Sequence, residues 1–144
     1  MIEVLTFAEL DPETAYAVWR LRQEVFILEQ ASPYPDLDGR DLEPQTRHLL
    51  VREGASVLGY LRLLEDGAAA RIGRVVVARS ARGRGLAAAL MTAALEEVGE
   101  REVRLDSQTR LSGWYARFGF EVAGPEFDDG GVRHLPMTRP GQES

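Results

Sequence analysis

The sequence feature that most constrains the fold is a short turn containing Gly83 and Gly85, placed between an apolar run and a helix-like segment. The run ends in Val75–Val77 and is typical of a buried strand. After the turn, residues 85–99 carry apolar side chains at helical spacing. Glycine tolerates positive φ, and amides that this geometry frees beside a helix N-terminus form an anion site. The order strand, turn, helix therefore predicts a phosphate-binding turn in an α/β fold.

Further strands and helices are predicted on both sides of this unit. Asp11 followed by Pro12 is a helix start, and the proline-rich residues 31–46 indicate a loop that has room for one helical turn. The other predicted elements are strands over residues 2–7, 47–52, 56–64, 70–77, 103–107, 120–122 and 132–137, and helices over 11–29 and 111–118. We therefore expect one domain over residues 1–144, of the α/β class, with a mixed central sheet of six or seven strands flanked by helices.

Composition excludes several kinds of function. The net charge of −6 disfavours nucleic-acid binding, and no apolar run is long enough to span a membrane. The N-terminal residues lack the basic and apolar segments of a signal peptide, so we expect a cytoplasmic protein. There is no cysteine, which excludes disulfides, thiolate nucleophiles and cysteine zinc sites. The aspartates at 36, 38 and 41 do not fit an EF-hand frame, because Gly39 comes too early and position 47 is an arginine. We expect no metal.

The glycine turn has competing interpretations. Gly83-x-Gly85-x-x-Ala88 matches a dinucleotide fingerprint, but five residues separate Val77 from Gly83, where that fingerprint has almost none. A P-loop is excluded because all 17 basic residues are arginines. A basic turn that only caps a helix remains the plain alternative, since five arginines fall within residues 71–84.

The segment from Arg82 to Ala87 matches the pattern R/Q-x-x-G-x-G/A. In this segment the chain resembles the GNAT superfamily of acyl-CoA N-acyltransferases, whose motif binds the pyrophosphate of coenzyme A through backbone amides. In that family the preceding strand pairs with the pantetheine arm, which the resemblance assigns to Val75 and Val77. The resemblance assigns the pyrophosphate to Arg82, Gly83, Gly85, Ala87 and Ala88. From charge alone, we expect Arg84 or Arg79 near the 3′-phosphate.

A second match lies downstream, where residues 108–120 resemble the family segment N-x-x-A-x-x-F-Y-x-x-x-G-F. Gln108 replaces the usual asparagine, and the resemblance gives it a coenzyme contact. Tyr115 is the predicted general acid, because a phenol can protonate the departing thiolate. The alternative is that Tyr115 packs on Trp114 and Phe118 as part of the core.

The acceptor site is predicted from the first helix. Arg22 falls at the centre of its apolar stripe, and Glu29 lies two turns later on the same line. A buried arginine needs a partner, which is either Glu29 or a loop aspartate. In the functional interpretation, Arg22 holds a substrate carboxylate or orders the substrate loop. Glu29, Asp38 and Arg74 complete the predicted substrate-binding set.

The general base is less well defined. Many GNAT enzymes carry a glutamate on the strand before the turn, but residues 72–75 offer no carboxylate. The candidates, in order of preference, are His48, Asp38 and Glu29, with water as a further alternative. A histidine that titrates near neutrality suits the role. The alternative is that His48 is only an exposed histidine at the start of a strand.

The residues from Arg22 to Asp41, with His48 beyond, resemble the ElaA-like branch of the GNAT proteins. The resemblance does not supply the substrate. Our hypothesis is direct transfer of an acetyl or other short acyl group from acetyl-CoA or a related thioester to a small-molecule or peptide amine. The alternatives are a non-catalytic acyl-CoA sensor module and an enzyme similar to acyl-homoserine-lactone synthases, which the N-terminal layout also resembles. A homodimer stays open.

Overall fold

The computed structural model describes residues 1–142; positions 143 and 144, the end of the predicted domain, lie outside the described residues. Helix α1 spans Pro12–Arg22, α2 spans Leu86–Val98 and α3 spans Ser112–Ala116. The strands are β1 Glu3–Thr6, β2 Arg47–Glu53, β3 Ser56–Asp66, β4 Ala69–Val77, β5 Val103–Gln108, β6 Glu121–Val122, β7 Phe127–Asp129 and β8 Val132–Arg139. A single helical turn, Arg40–Leu42, interrupts the predicted loop.

All eight strands in residues 1–142 belong to one sheet, in the order β1-β2-β3-β4-β5-β8-β6, with β7 paired to β8. Every pair is antiparallel except β4 and β5, which run parallel. The predicted mixed sheet flanked by helices is confirmed, with one strand more than predicted. The additional strand, β7, has only three residues, two of them aspartates, so no alternation marks it.

The first predicted helix changes its winding part of the way along. It begins as predicted, with the Asp11 carboxylate accepting from the Thr14 amide at 2.7 Å and proline at the first helical position. After Arg22 it continues as a π-helical segment, Gln23–Glu29, with the wider five-residue spacing. A wider turn rotates the last residues away from the line that regular helical winding predicts, which separates Glu29 from Arg22.

Two apolar cores cover the two faces of the sheet. On one face, Leu90 and Met91 of α2 pack with Leu61 and Leu63 of β3, and all four are almost fully buried. Burying a side chain of this size contributes about 1.5–3 kcal/mol. Helix α3 lies on this same face, because Tyr115 belongs to the same core.

The opposite face of the sheet carries α1, whose Val18 and Leu21 pack with Leu50 and Tyr60. The loop of residues 31–46 follows α1 on this side. No helix among residues 1–142 combines the length and hydropathy that a membrane crossing requires.

Candidate active site

Strands β4 and β5 lie side by side only near their first residues. Their pairing is limited to Ala70 with Val103 and Arg71 with Arg104. The Ala70 amide donates to the Glu102 carbonyl at 2.9 Å, which closes this end. Beyond Arg71 the two strands are no longer paired, so the rest of β4 faces a gap in the sheet.

A β-bulge in β4 alters which backbone groups face that gap. Arg62 of β3 pairs with Gly73, whereas Tyr60 pairs with Val76, so β4 contains one extra residue. Arg74 lies in the bulge with φ of 55°, a left-handed conformation that costs a non-glycine residue about 1–3 kcal/mol. Because of the extra residue, the amides that would point toward β3 in a regular strand point away from it in the second half of β4, and the reverse.

In the second half of β4, the backbone amides of the odd-numbered residues face the gap. The Ala78 amide donates to the Leu58 carbonyl of β3 at 2.7 Å. Successive amides of a strand alternate in direction, so those of Val75 and Val77 point away from β3. Both residues predicted to pair with the pantetheine arm therefore have their backbone groups on the open edge.

The glycine turn joins β4 to α2 at the end of this gap. Gly83 and Gly85 have φ of 85° and 74°, and Gly85 caps the 13-residue helix. A Cβ at either position would meet no atom within 4 Å, so the positive φ explains the glycines and crowding does not. Within residues 1–142, the amides from Gly83 to Ala88, including that of Ala87, donate to no acceptor. They form a row of free donors at the positive end of α2.

The arginines around the turn differ in their contacts. The Arg82 guanidinium donates to both Glu29 carboxylate oxygens, at 2.7 and 2.8 Å, and to the Val77 carbonyl at 3.2 Å. The Arg82 hydrogen bonds hold the pKa of Glu29 below its usual range. Arg84 reaches Glu53 only at 3.4 Å between two exposed side chains, an ion pair worth little.

Glu29 therefore does not do what the sequence predicted. It does not line the cavity described below, it is not the partner of Arg22, and as an ionised, hydrogen-bonded carboxylate it is a poor base. Its contact with Arg82 instead connects the end of the π-helical segment to the glycine turn.

A neutral cluster of three arginines and three aspartates fixes the loop of residues 31–46 to the sheet. Its members are Arg22, Arg62, Arg74, Asp36, Asp38 and Asp41. Arg22 is 0% exposed and donates to Asp36 at 2.9 Å and Asp41 at 2.8 Å. Arg62 grips both oxygens of Asp38, at 2.6 and 2.8 Å. Arg74 approaches Asp36 at 2.8 Å, with an angle too bent for a hydrogen bond.

The cluster corrects two predicted roles. Arg22 is completely buried with its donors occupied, so it cannot contact a substrate carboxylate; of its predicted roles, pairing with loop aspartates to order the loop fits the geometry. Asp38 lines the cavity, but the hydrogen bonds from Arg62 hold its pKa well below its usual range. It is therefore too weak a base to accept a proton from an amine.

His48, the preferred candidate for the base, is also corrected. It is fully buried, and its Nε2 donates to the Asp41 carbonyl at 3.1 Å while its Nδ1 contacts the Tyr60 hydroxyl. Burial is the main cause that lowers its pKa. Because both ring nitrogens are occupied and the ring does not line the cavity, His48 supports the loop and is not available to a substrate.

A cavity of about 290 Å³ opens between the loop and the gap. Val75, Arg74 and Gln108 line it, and Tyr115 reaches it from the opposite face of the sheet. The Gln108 side-chain amide donates to Gln30 at 3.1 Å and its oxygen accepts from Arg110 at 2.9 Å.

Tyr115 is 8% exposed and lies edge-on to Trp114 and Phe120, so the predicted core packing and the predicted access to the site coexist. Burial raises the pKa of Tyr115 to about 12. Its hydroxyl has no hydrogen-bond partner among the described residues, which leaves it able to donate to a molecule in the cavity. Across the same residues, no group of three or more acidic or histidine side chains is arranged to hold a metal ion.

His134 of β8 is among the cavity residues that were not predicted from the sequence. It lies opposite Gln108 in the pairing of β5 with β8. Its ring stacks on Phe127, with centroids 5.7 Å apart and planes inclined at 23°. The two motifs end before β8, and β7, which carries Phe127, was not predicted. The available signal was the predicted strand over residues 132–137, because a strand paired with β5 places one of its residues opposite Gln108.

Comparison with known proteins agrees with this geometry. The family model described as an acetyltransferase (GNAT) domain matches residues 8–139. A UPF0039 protein of Mycobacterium tuberculosis is 47% identical over 138 residues, which cover 92% of this chain and 88% of the relative.

Two solved structures are similar over almost their whole length. The crystal structure of Escherichia coli ElaA has a TM-score of 0.91 at 32% identity, covering 96% of this chain and 99% of that one. That of an acyl-CoA N-acyltransferase from Pseudomonas aeruginosa has a TM-score of 0.90 at 35% identity, covering 96% and 98%. The chain therefore belongs to the GNAT acyltransferase family, in the branch that includes ElaA and the UPF0039 proteins.

Proposed function

We propose that this protein transfers an acetyl or other short acyl group from acyl-CoA to an amine, directly and without a covalent enzyme intermediate. The proposal rests on three features of the structure that together suit an acyl-CoA thioester. Free amides at residues 83–88 can hold a diphosphate, the open edge of β4 can hold an extended arm, and Val75 of β4 and Tyr115 line the same cavity. The absence of cysteine from the sequence leaves no thiol nucleophile for a two-step route.

Coenzyme A would be recognised mainly by backbone groups. Its diphosphate would accept hydrogen bonds from the amides of Gly83 to Ala88, where the α2 dipole favours negative charge. The Val75 carbonyl and the Val77 amide would pair with the pantetheine arm as an added strand does, which leaves the Val75 amide for the acyl group. Arg79 and Arg84, both on the exposed side of the turn, suit the 3′-phosphate. Arg82 is not assigned to the diphosphate, because its side chain is held by Glu29 and its amide donates to the Arg79 carbonyl at 3.5 Å.

The acyl carbonyl would then lie beside the bulge in β4. As the amine attacks, negative charge develops on the carbonyl oxygen, and the Val75 amide on the open edge can donate to it. The C–S bond breaks and the sulfur takes the electron pair. The Tyr115 hydroxyl, protonated at neutral pH, donates a hydrogen bond to that sulfur.

The raised pKa of Tyr115 defines how far its proton moves. A thiol has an ordinary pKa near 8.5, so a phenol of pKa about 12 does not protonate an isolated thiolate completely. Full transfer becomes favourable when the phenolate regains the proton that the amine loses. Tyr115 therefore acts first as a hydrogen-bond donor to the leaving group and second as a relay.

The charges in the cavity favour a positively charged acceptor. Its four arginines, Arg40, Arg62, Arg71 and Arg74, are all paired with carboxylates. Asp129 also lines the cavity, and no arginine within the described residues pairs with it. An acceptor with a carboxylate finds no free cation, whereas a diamine can place its second ammonium group near Asp129.

Release of free thiol from acetyl-CoA, measured with a panel of diamines, amino acids and peptides, tests the proposal. We expect amine-dependent release, fastest with diamines, above the rate of hydrolysis without amine. Binding of coenzyme A without thiol release from any amine would favour the sensor module. Release only from long acyl donors together with S-adenosylmethionine would favour the lactone-synthase alternative.

A further inference from the structure

The proposed transfer needs a group that takes the proton from the attacking nitrogen. When the C–N bond forms, the nitrogen becomes positively charged and its N–H becomes acidic. The three residues predicted for this step cannot perform it: His48 is buried outside the cavity, and Asp38 and Glu29 are held by arginines. The remaining candidates for the proton acceptor are a water molecule and another side chain of the cavity wall.

His134 has the geometry of a base. Its Nδ1 lies 2.9 Å from the Val132 carbonyl oxygen, which can only accept, so Nδ1 carries the hydrogen. In the neutral ring the lone pair is then on Nε2, and no donor among residues 1–142 hydrogen-bonds to it. The stack on Phe127 and the bond to Val132 together fix both the tautomer and the ring plane.

The neighbouring groups leave this lone pair available. Gln108, opposite on β5, has its amide committed to Gln30 and Arg110. On the hairpin that carries His134, Arg133 is paired with Glu126 at 2.8 Å. Asp129 also lines this cavity, and no arginine within the described residues pairs with it, whereas Asp106 is paired with Arg71 at 3.4 Å.

We infer that His134 is the general base of the reaction, an inference that rests on the proposed acyl transfer. Nε2 accepts the proton from the nitrogen as the C–N bond forms, and the C–S electron pair moves to the sulfur beside Tyr115. The Tyr115 hydroxyl gives its proton to the sulfur, and His134 returns the proton from the nitrogen through water to Tyr115, so the thiol leaves with one proton and both side chains are restored. The net change is an amine and a thioester converted to an amide and a thiol.

The test compares H134Q and H134A with the wild type in the thiol-release assay. Glutamine keeps a donor but cannot take a proton, so kcat of H134Q should fall by about 10²–10⁴-fold while the Kd for coenzyme A stays the same. Added imidazole should restore part of the rate of H134A, which a purely structural role would not allow. R133Q, which changes the adjacent residue outside the cavity, is the matched control and should keep the wild-type rate.

Three outcomes would overturn the inference: an H134Q rate within about twofold of the wild type, a joint loss of coenzyme binding and activity, or no rescue of H134A by imidazole. The rate of the wild type in the same assay separates a failure of the proposed function from a failure of the role of His134. An inactive wild type would overturn the proposed function and this role with it, whereas an active wild type beside an equally active H134Q would overturn this role alone.

Discussion

Tyr115 combines two properties that a single side chain seldom has. Its ring is packed among Trp114 and Phe120, while its hydroxyl lines the cavity without a partner in the described part of the chain. Burial raises its pKa to about 12, so the hydroxyl stays a donor across the neutral range. Removing the hydroxyl should therefore affect chemistry much more than folding.

We expect Tyr115→Phe to lower kcat by about 10²–10⁴-fold, because the leaving sulfur loses its hydrogen-bond donor. The Kd for coenzyme A and the free energy of unfolding should stay close to those of the wild type. The control is Tyr16→Phe, since Tyr16 is 71% exposed and lies outside the cavity. Thiol-release kinetics measure the rates, and an unchanged kcat in Tyr115→Phe would remove its catalytic role.

His48 gives a prediction about pH and stability. Its pKa is lowered in the folded protein, mainly by burial, whereas a histidine in the unfolded chain titrates near pH 6.5. The unfolded chain therefore binds the extra proton first, so the stability that His48 contributes is present above about pH 6.5 and is lost as the pH falls below it.

Urea unfolding at pH 7.5 and pH 5.5 measures this effect. We expect the wild type to lose up to about 1.4 kcal/mol per pH unit more than His48→Gln below pH 6.5, because glutamine does not titrate. The variant starts less stable, since glutamine cannot reproduce both hydrogen bonds of the ring. Equal losses in the two proteins would show that His48 is not the group responsible.

The sequence predicted that Tyr115 lies at the site but did not predict His134 there, and the reason is physical. Tyr115 belongs to a motif that is continuous along the chain. His134 reaches the cavity only through the pairing of β8 with Gln108, which depends on strand order and register. His48 was predicted to act on a substrate, but its side chain is buried beside Arg62 and does not reach the cavity.

Among the elements, the turn between β4 and α2 carries most of the proposed binding. Gly85 and Gly67 have φ of 74° and 73°, and a Cβ at either would meet no atom within 4 Å. Substitution by alanine should therefore lower the free energy of unfolding by a similar amount at each position, about 1–2 kcal/mol from the backbone alone. The two glycines differ in place, since Gly67 lies in the turn between β3 and β4 and Gly85 caps α2.

We expect Gly85→Ala to raise the Kd for coenzyme A at least tenfold, because a strained cap reorients the free amides. Gly67→Ala should lose similar stability without changing this Kd. Titration calorimetry and urea unfolding on the two variants measure both quantities. Equal Kd values for both variants would mean that the turn does not bind the coenzyme.

The sequence predicted this turn well because glycines, strand and helix follow one another along the chain. It did not predict the gap beside β4 or the bulge. The sequence predicted an ordinary strand over residues 70–77, and nothing local indicates that Arg74 takes a positive φ. The contact of Arg74 with Asp36 comes from a different element, the loop.

In the whole molecule, the arginine–aspartate cluster connects α1, the loop, β3 and β4. A buried charge without its partner is costly, so Arg22→Met should lower the free energy of unfolding by about 3–5 kcal/mol. Its neighbour Arg20 is 71% exposed in its side chain, and within residues 1–142 it pairs only with Glu24. Arg20→Met should therefore cost less than about 1 kcal/mol.

Urea unfolding of R22M and R20M measures the difference. Similar stabilities for the two variants would show that the cluster does not hold the loop. The sequence indicated that Arg22 needs a partner, but it could not choose between Glu29 and the loop aspartates. The choice depends on the π-helical segment, which separates Glu29 from Arg22, and on the path of the loop back over α1.

The central claim concerns the position of coenzyme A in the molecule, and a crystal structure of the complex with coenzyme A tests it most directly. We predict that the diphosphate accepts hydrogen bonds from the amides of residues 83–88 and that the sulfur lies within hydrogen-bond distance of the Tyr115 hydroxyl. A diphosphate bound away from this turn, or a sulfur separated from Tyr115 by other side chains, would contradict the account.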